Sequence, residues 1–256
     1  MDCIHAVKFR HSALNHLKSV ESLTKAFAGQ DAVVSTIGSY HLDDQRAMID
    51  AVVAAGVSRF LPSEYGHDTR RLDGVLGAML AGKAAIADYA AEQAKTHPAF
   101  TWTTLGNVDA GIFGVNLKDK TTALYESGDT LMTVSTTAFI GRAVAAVLQH
   151  EAETANRHLD VFEFRVSQNM VLKVFEEETG AKFAVSHRDM AAVDSEVKAK
   201  FAKGDYSIFV DALLVHNFCD GASAGLKNEH SANGLLGLET NTLREMVREY
   251  IRTRSS

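Results

Sequence analysis

The chain has 256 residues, 46% apolar and 23% charged, an ordinary globular composition with enough length to bury a substantial core. A net charge of −6 with dispersed basic residues excludes a nucleic-acid or anionic-membrane footprint; the densest cluster (Arg244, Arg248, Arg252, Arg254) is interleaved with Glu239, Glu245 and Glu249 and reads as a solvated helix face. Two cysteines, no basic and apolar leader at the start, and no apolar run near the roughly 20 residues of a membrane span predict a soluble cytoplasmic protein without a disulfide scaffold.

Residues 5–10 alternate weakly and predict a short strand. Val20, Leu23, Ala26 and Phe27 recur at helical spacing, with Gly29 as the stop. Asp31-Ala-Val-Val-Ser-Thr-Ile-Gly38 is a β-branched run ending in a polar turn, the pattern of a buried parallel strand. A helix over about 43–55 carries Met48, Ile49, Val52 and Val53 on one stripe, and Gly56 supplies its left-handed stop. Val57 to Leu61 is the next strand, so a right-handed βαβ unit is expected.

That strand runs into Pro62-Ser63-Glu64-Tyr65-Gly66, a polar cluster at the place where ligands bind in open α/β sheets, beyond the carboxyl ends of the strands. Periodicity alone leaves two readings, a site or an ordinary strand-to-helix turn. Residues 67–82 suggest a flexible loop or short helix over it, and a strong helix is expected to begin near Lys83 and end by Pro98. Phe100 to Leu105 is a third strand, with Gly106-Asn107-Val108 as its outgoing turn. Alternating strands and helices to this point predict a doubly wound sheet.

Beyond Gly114 the texture changes. Strands are predicted at 131–134, 158–164 and 182–186. Helices are predicted from Thr136 or Thr137 to His150, from Ser167 to Gly180 with Met170, Val171 and Val174 in its core spacing, and near 189–203, 206–219 and 240–252. No His-x-x-x-His or His-Glu-x-x-His pattern occurs among the eleven histidines, so no metal site is expected. Ser63, Glu64 and His67 lie close in sequence, but no Gly-x-Ser-x-Gly elbow surrounds any serine. His41, His67, Tyr40 and Tyr65 flank the turns, as substrate contacts or as ordinary loop and packing residues.

In these residues the chain resembles the NmrA-like and isoflavone-reductase-like proteins, atypical short-chain dehydrogenases. The resemblance is carried by Asp31-Ala-Val-Val-Ser, Arg59-Phe-Leu-Pro-Ser-Glu-Tyr-Gly66-His-Asp68, Lys83, Thr101-Trp-Thr-Thr and Phe175-Glu-Glu-Glu-Thr-Gly180, in the family's order. It implies a Rossmann-like doubly wound parallel sheet in residues 1–130 and a smaller C-terminal α+β substrate subdomain, mostly 131–256 and intertwined with the first. It further implies NAD(P)H-dependent oxidoreduction of a small organic, possibly aromatic, substrate, with NADP favoured over NAD. Ser35, Thr36, Ile37 and Gly38 would lie along the dinucleotide. Ser63, Glu64 and Tyr65 would approach its nicotinamide end, and Asn107 and Val108 would face cofactor or substrate. Lys83 corresponds to the family's catalytic lysine and would also touch the cofactor.

Lysine suits that role only when its pKa falls from about 10.4, as burial makes it do; Leu80, Ala81, Gly82, Ala84, Ala85 and Ile86 offer an apolar setting. The sequence has no Tyr-x-x-x-Lys pair, which agrees with this branch and equally with members that bind cofactor as non-catalytic regulators. It also has no Gly-x-x-Gly-x-x-Gly turn, so a leading βαβ unit is expected to be absent. Losing about three charge-assisted hydrogen bonds of roughly 1.5–3 kcal/mol each at the pyrophosphate would weaken or abolish cofactor binding. Without those strands, residues 31–37 become an exposed edge that invites self-association, unless residues 1–12 move in to pair with them.

Overall fold

The computed structural model describes residues 19–38, 44–107, 113–220 and 228–254; the strand expected at 5–10, with Tyr40, His41 and Val108, lies outside them. Helix α1 (Val20–Phe27) starts at Ser19, whose side chain accepts from Ser22 N, and buries Leu23. Strand β1 (Ala32–Val34) is followed by α2 (Asp44–Ala54), which stops at Gly56 with φ +72°. Then come β2 (Arg59–Leu61), β3 (Tyr65–Gly66), a 3₁₀ turn (Thr69–Arg71), α3 (Gly74–Thr96) and β4 (Thr101–Gly106).

The second half contains β5 (Thr121–Tyr125), β6 (Met132–Val134), α4 (Thr137–Gln149), α5 (Glu151–Thr154), β7 (Arg157–Asp160) and β8 (Phe164–Val166). It ends with α6 (Gln168–Thr179), β9 (Ala184–Arg188), α7 (Met190–Phe201), α8 (Phe209–Phe218) and α9 (Leu243–Arg254). Side-chain oxygens of Thr136, Ser167 and Asp189 cap α4, α6 and α7. Gly180 closes α6 in the left-handed region.

One parallel sheet organises the chain. β1 pairs with β2, β2 with the first half of β4, and β3 with its last two residues; β7 pairs along the other side of β4. Phe60 and Trp102 face Leu23, Ile49, Val52, Ile86 and Ala90 of α1, α2 and α3. Leu61, Leu105 and Leu159 face Phe139, Ala143 and Val147 of α4, with Leu236. Helices therefore cover both faces, the doubly wound α/β arrangement. A third apolar cluster joins β6, β8 and α6 to α9, and takes in Leu76 and Leu80 of α3.

Three expectations fail for physical reasons. The helix does not begin near Lys83 but at Gly74, so Lys83 lies inside it, between Leu80 of one cluster and Ile86 of another. Gly74 and Gly77 look like helix breakers in sequence, yet a Cβ on Gly77 would sit 2.5 Å from the Leu72 carbonyl oxygen; close chain approach requires that glycine. The single strand expected over 158–164 is two strands, because β7 joins the main sheet while β8 pairs antiparallel with β6. Met170, placed in the core by spacing, is exposed on α6. β5, unseen in the sequence, pairs in parallel with β9.

Candidate functional site

The segment 59–66 divides between two tasks. Arg59, at the start of β2, is 1% exposed, and its guanidinium donates to the hydroxyls of Thr101 (3.1 Å), Thr103 (2.6 Å) and Thr154. Burial lowers its pKa and Glu151 opposes this, so it remains a charged strut joining β2, β4 and α5. It stands at the end of the strands away from the Pro62–Gly66 turn.

Ser63 and Glu64 occupy the carboxyl end. Ser63 N–H donates to Gln45 Oε1 at 2.7 Å, and its hydroxyl donates to the Ile37 carbonyl at 2.8 Å. The expected site serine therefore ties the turn after β2 to the turn after β1. Ser35 N–H donates to Leu61 O at 2.8 Å, continuing the same register. Thr36 and Gly38 are exposed and Ile37 is half-buried along that turn.

Glu64 is 3% exposed, and its Oε1 accepts from both the amide (3.3 Å) and the hydroxyl of Thr69. Burial raises its pKa; Thr69, Lys83 and His158 pull the other way. Lys83, half-buried on α3, has its pKa lowered by burial, with Glu64 opposing. Of the sequence neighbours expected to bury it, Ala81, Gly82 and Ala85 are exposed, so the desolvation comes from tertiary packing. Burial thus pushes the amine down and the carboxyl up while their mutual attraction opposes both shifts, a pattern that marks the two as candidates for proton chemistry.

Three expected binding residues carry buried polar atoms without a hydrogen-bond partner among the described residues: Ser35 Oγ, Tyr65 OH and Asn107 Nδ2. Buried polar groups are normally satisfied, so orphans at the carboxyl ends of β1, β3 and β4 fit a polar ligand there. Burial raises the Tyr65 pKa, which keeps its phenol a neutral donor. Asn107 N–H donates to Gly66 O at 2.6 Å, which fixes the backbone beside this end of the sheet.

Of the other residues around the turn, His67 was a sequence candidate, whereas His158, Asp160 and His216 were not singled out by sequence reasoning. His158 Nδ1 lies 2.8 Å from Thr104 Oγ1 and its Nε2 3.0 Å from Asp160 Oδ1. Alternation in β7 places His158 and Asp160 on one face, and that signal is readable in His-x-Asp once the strand is known. His67 packs edge-on against His216 of α8, ring centroids 4.7 Å apart. Burial, with His216, lowers the His67 pKa to about 4, against the pull of Asn217 and Asp160. Burial also lowers His216, against Asp73. Only folding brings these partners together.

The sequence matches the NmrA-like family over residues 6–200. It is 31% identical over 242 residues to the oxidoreductase poxI of Penicillium oxalicum, covering 90% of this chain and 77% of that protein. It is 30% identical over 235 residues to the oxidoreductase aprR of Aspergillus flavus, covering 88% and 78%. Among solved structures, the leucoanthocyanidin reductase–NADPH complex of Vitis vinifera superposes with a TM-score of 0.74 at 21% identity, covering 92% of this chain and 84% of that one. With a family match over most of its length and relatives 31% and 30% identical across about nine-tenths of it, the chain belongs to the NmrA-like family.

Proposed function

We propose that this protein is an NAD(P)H-dependent oxidoreductase acting on a small, aromatic organic substrate, with Lys83 as the group that holds or moves the proton. The observation that carries this reading is the Lys83–Glu64 pair at the carboxyl ends of the parallel strands, where burial pushes the two pKa values toward each other. The oxidoreductase names of two relatives at 31% and 30% identity support it. The NADPH complex of the leucoanthocyanidin reductase, whose fold this chain shares, supports NADP as the cofactor. A bound nicotinamide would supply hydride.

In this reading Ser35 to Gly38 run along the dinucleotide, and Glu64, Tyr65, Asn107 and Val108 face its nicotinamide end or the substrate. Ser63 contributes by holding the two turns in register rather than through a free hydroxyl. Residues 1–130 carry the cofactor, and most of 131–256 shapes the substrate side. The protein works in the cytoplasm. Its β1 edge pairs on one side only among the described residues; sedimentation across a concentration series checks self-association there.

Titration with NADPH and NADP⁺, followed by turnover assays on aromatic carbonyl and enone substrates, tests the reading. Binding is expected below millimolar cofactor. Lys83→Ala should lower turnover by about 100-fold or more, as for loss of a general acid or base, with affinity nearly unchanged. No binding at millimolar cofactor removes the reductase reading. Binding without turnover makes the protein a non-catalytic, cofactor-sensing regulator.

A further inference from the structure

The 3₁₀ turn Thr69–Arg71 is gripped at both ends by carboxylates from different parts of the sheet. Its first residue, Thr69, donates to Glu64 from the turn after β2. Its last residue, Arg71, places Nη1 3.7 Å from Asp160 Oδ2 of β7, while its Nε lies 3.1 Å from Asp68 Oδ2. Arg71 is 69% exposed, and an exposed ion pair is weak by itself. What gives this one a fixed direction is the buried support behind Asp160.

That support is a chain of short contacts. Thr104 meets His158 Nδ1 at 2.8 Å, and His158 Nε2 meets Asp160 Oδ1 at 3.0 Å. The parallel register sets Thr104 opposite His158 and Gly106 opposite Asp160. A Cβ on residue 106 would sit 2.5 Å from Asp160 Oδ1 and 2.8 Å from His158 Nε2, so glycine is what admits the pair over β4. Between the turn and Gly74, where α3 begins, lie only two residues. Lys83 is nine residues into that helix, about 13 Å along a rigid rod at 1.5 Å per residue, so a shift of the turn is carried to the lysine.

We propose that Asp160, aimed by His158 and Thr104, is a positioning residue for Lys83, because it holds the end of the turn from which the Lys83 helix starts. The kinetic consequence rests on the reductase reading; the structural one does not. His158 and Asp160 touch neither cofactor nor substrate in this role. They fix one end of a lever whose other end is fixed by Glu64.

Asp160→Asn, which keeps the shape and removes the charge, is compared with Arg71→Gln, an exposed change that does not disturb the core. Two readouts need no cofactor: amide exchange at Arg71 and Leu72, whose N–H groups donate to Asp68 O and Thr69 O, and acetylation of Lys83 by acetic anhydride, read by peptide mass. In Asp160→Asn we expect exchange about fivefold faster or more and Lys83 acetylation about threefold faster, with Arg71→Gln smaller in the same direction. Turnover should show kcat down by about fivefold or more and KM within about twofold. Unchanged Lys83 acetylation in an Asp160→Asn protein with wild-type melting overturns the proposal, whatever the amide exchange shows; so does a raised KM at unchanged kcat. If Asp160→Asn does not fold, Arg71→Gln decides, and wild-type acetylation there overturns it. A wild-type protein without turnover sinks the reductase reading alone and leaves the acetylation comparison standing.

Discussion

Arg59 and Lys83 are both cations drawn out of water, and they lie at opposite ends of the same parallel strands. Arg59 stands at the start of β2 and is surrounded by threonine hydroxyls, neutral acceptors that satisfy the guanidinium without taking its proton. Lys83 lies beyond the strand ends, where the opposing group is a carboxylate whose own pKa is raised. The difference is one of acceptor chemistry. A buried cation among hydroxyls locks a sheet; a half-buried amine in the field of a buried carboxyl is a candidate for proton exchange. The carboxyl ends of the strands carry the second arrangement, which is where the topology leaves a crevice.

The same substitution at both cations should break this contrast most visibly. Lys83→Met is expected to lower turnover by about 100-fold or more while leaving the melting temperature at or above wild type, since a half-buried charge is removed. Arg59→Met should do the reverse: about 3 kcal/mol less stability in urea unfolding, from three threonine hydroxyls losing their donor, with activity per folded molecule retained. A stable Arg59→Met, or an active Lys83→Met, would erase the distinction.

An effect of at most similar size separates the joint at α8 from the Glu64 turn by the sign of its pH dependence. His67 is depressed from 6.5 to about 4 by burial and His216, so its neutral form contributes stability that is fully present above about pH 6.5 and is lost as pH falls toward 4. The loss reaches up to about 3 kcal/mol, at 1.36 kcal/mol per unit. His67→Gln should flatten the stability–pH curve in that window, measured by urea unfolding at fixed temperature. Glu64 works oppositely: its raised pKa gives stability below the usual carboxylate range that is lost as pH rises through the folded value, so Glu64→Gln should stabilise at neutral pH. The smallest change is Ser63→Ala, which removes the hydroxyl bond to Ile37 O and should cost about 1 kcal/mol, with cofactor affinity little altered.

Much of the frame was legible because its signals are local. Ser19, Thr136, Ser167 and Asp189 cap helices through their own side chains, Gly56 and Gly180 stop helices in the left-handed region, and the β-branched runs at 32–34 and 101–106 form parallel strands. The start of α3 was misread because Gly77 answers to a neighbouring carbonyl in space rather than to helix propensity. The strand over 158–164 was misread because alternation does not reveal which sheet a strand will join. The segment 59–66 was legible as a motif but not as a division of labour: Arg59 and Ser63 are committed to the frame, while Glu64 holds Thr69 and feels the charge of Lys83.

By itself, then, the sequence determined the alternating strands and helices, the polar turn after β2 and the family to which they belong, since each depends on residue type and short spacing. Only the tertiary structure decided what those residues face. Lys83 is desolvated by packing rather than by its exposed sequence neighbours, and Glu64 meets Thr69 only because the chain turns back over it. His158 and Asp160 reach the turn only because β7 lies beside β4 from more than fifty residues away. Burial and charge pairing act through space, and that is why the chemistry of this site becomes visible only when the chain is folded.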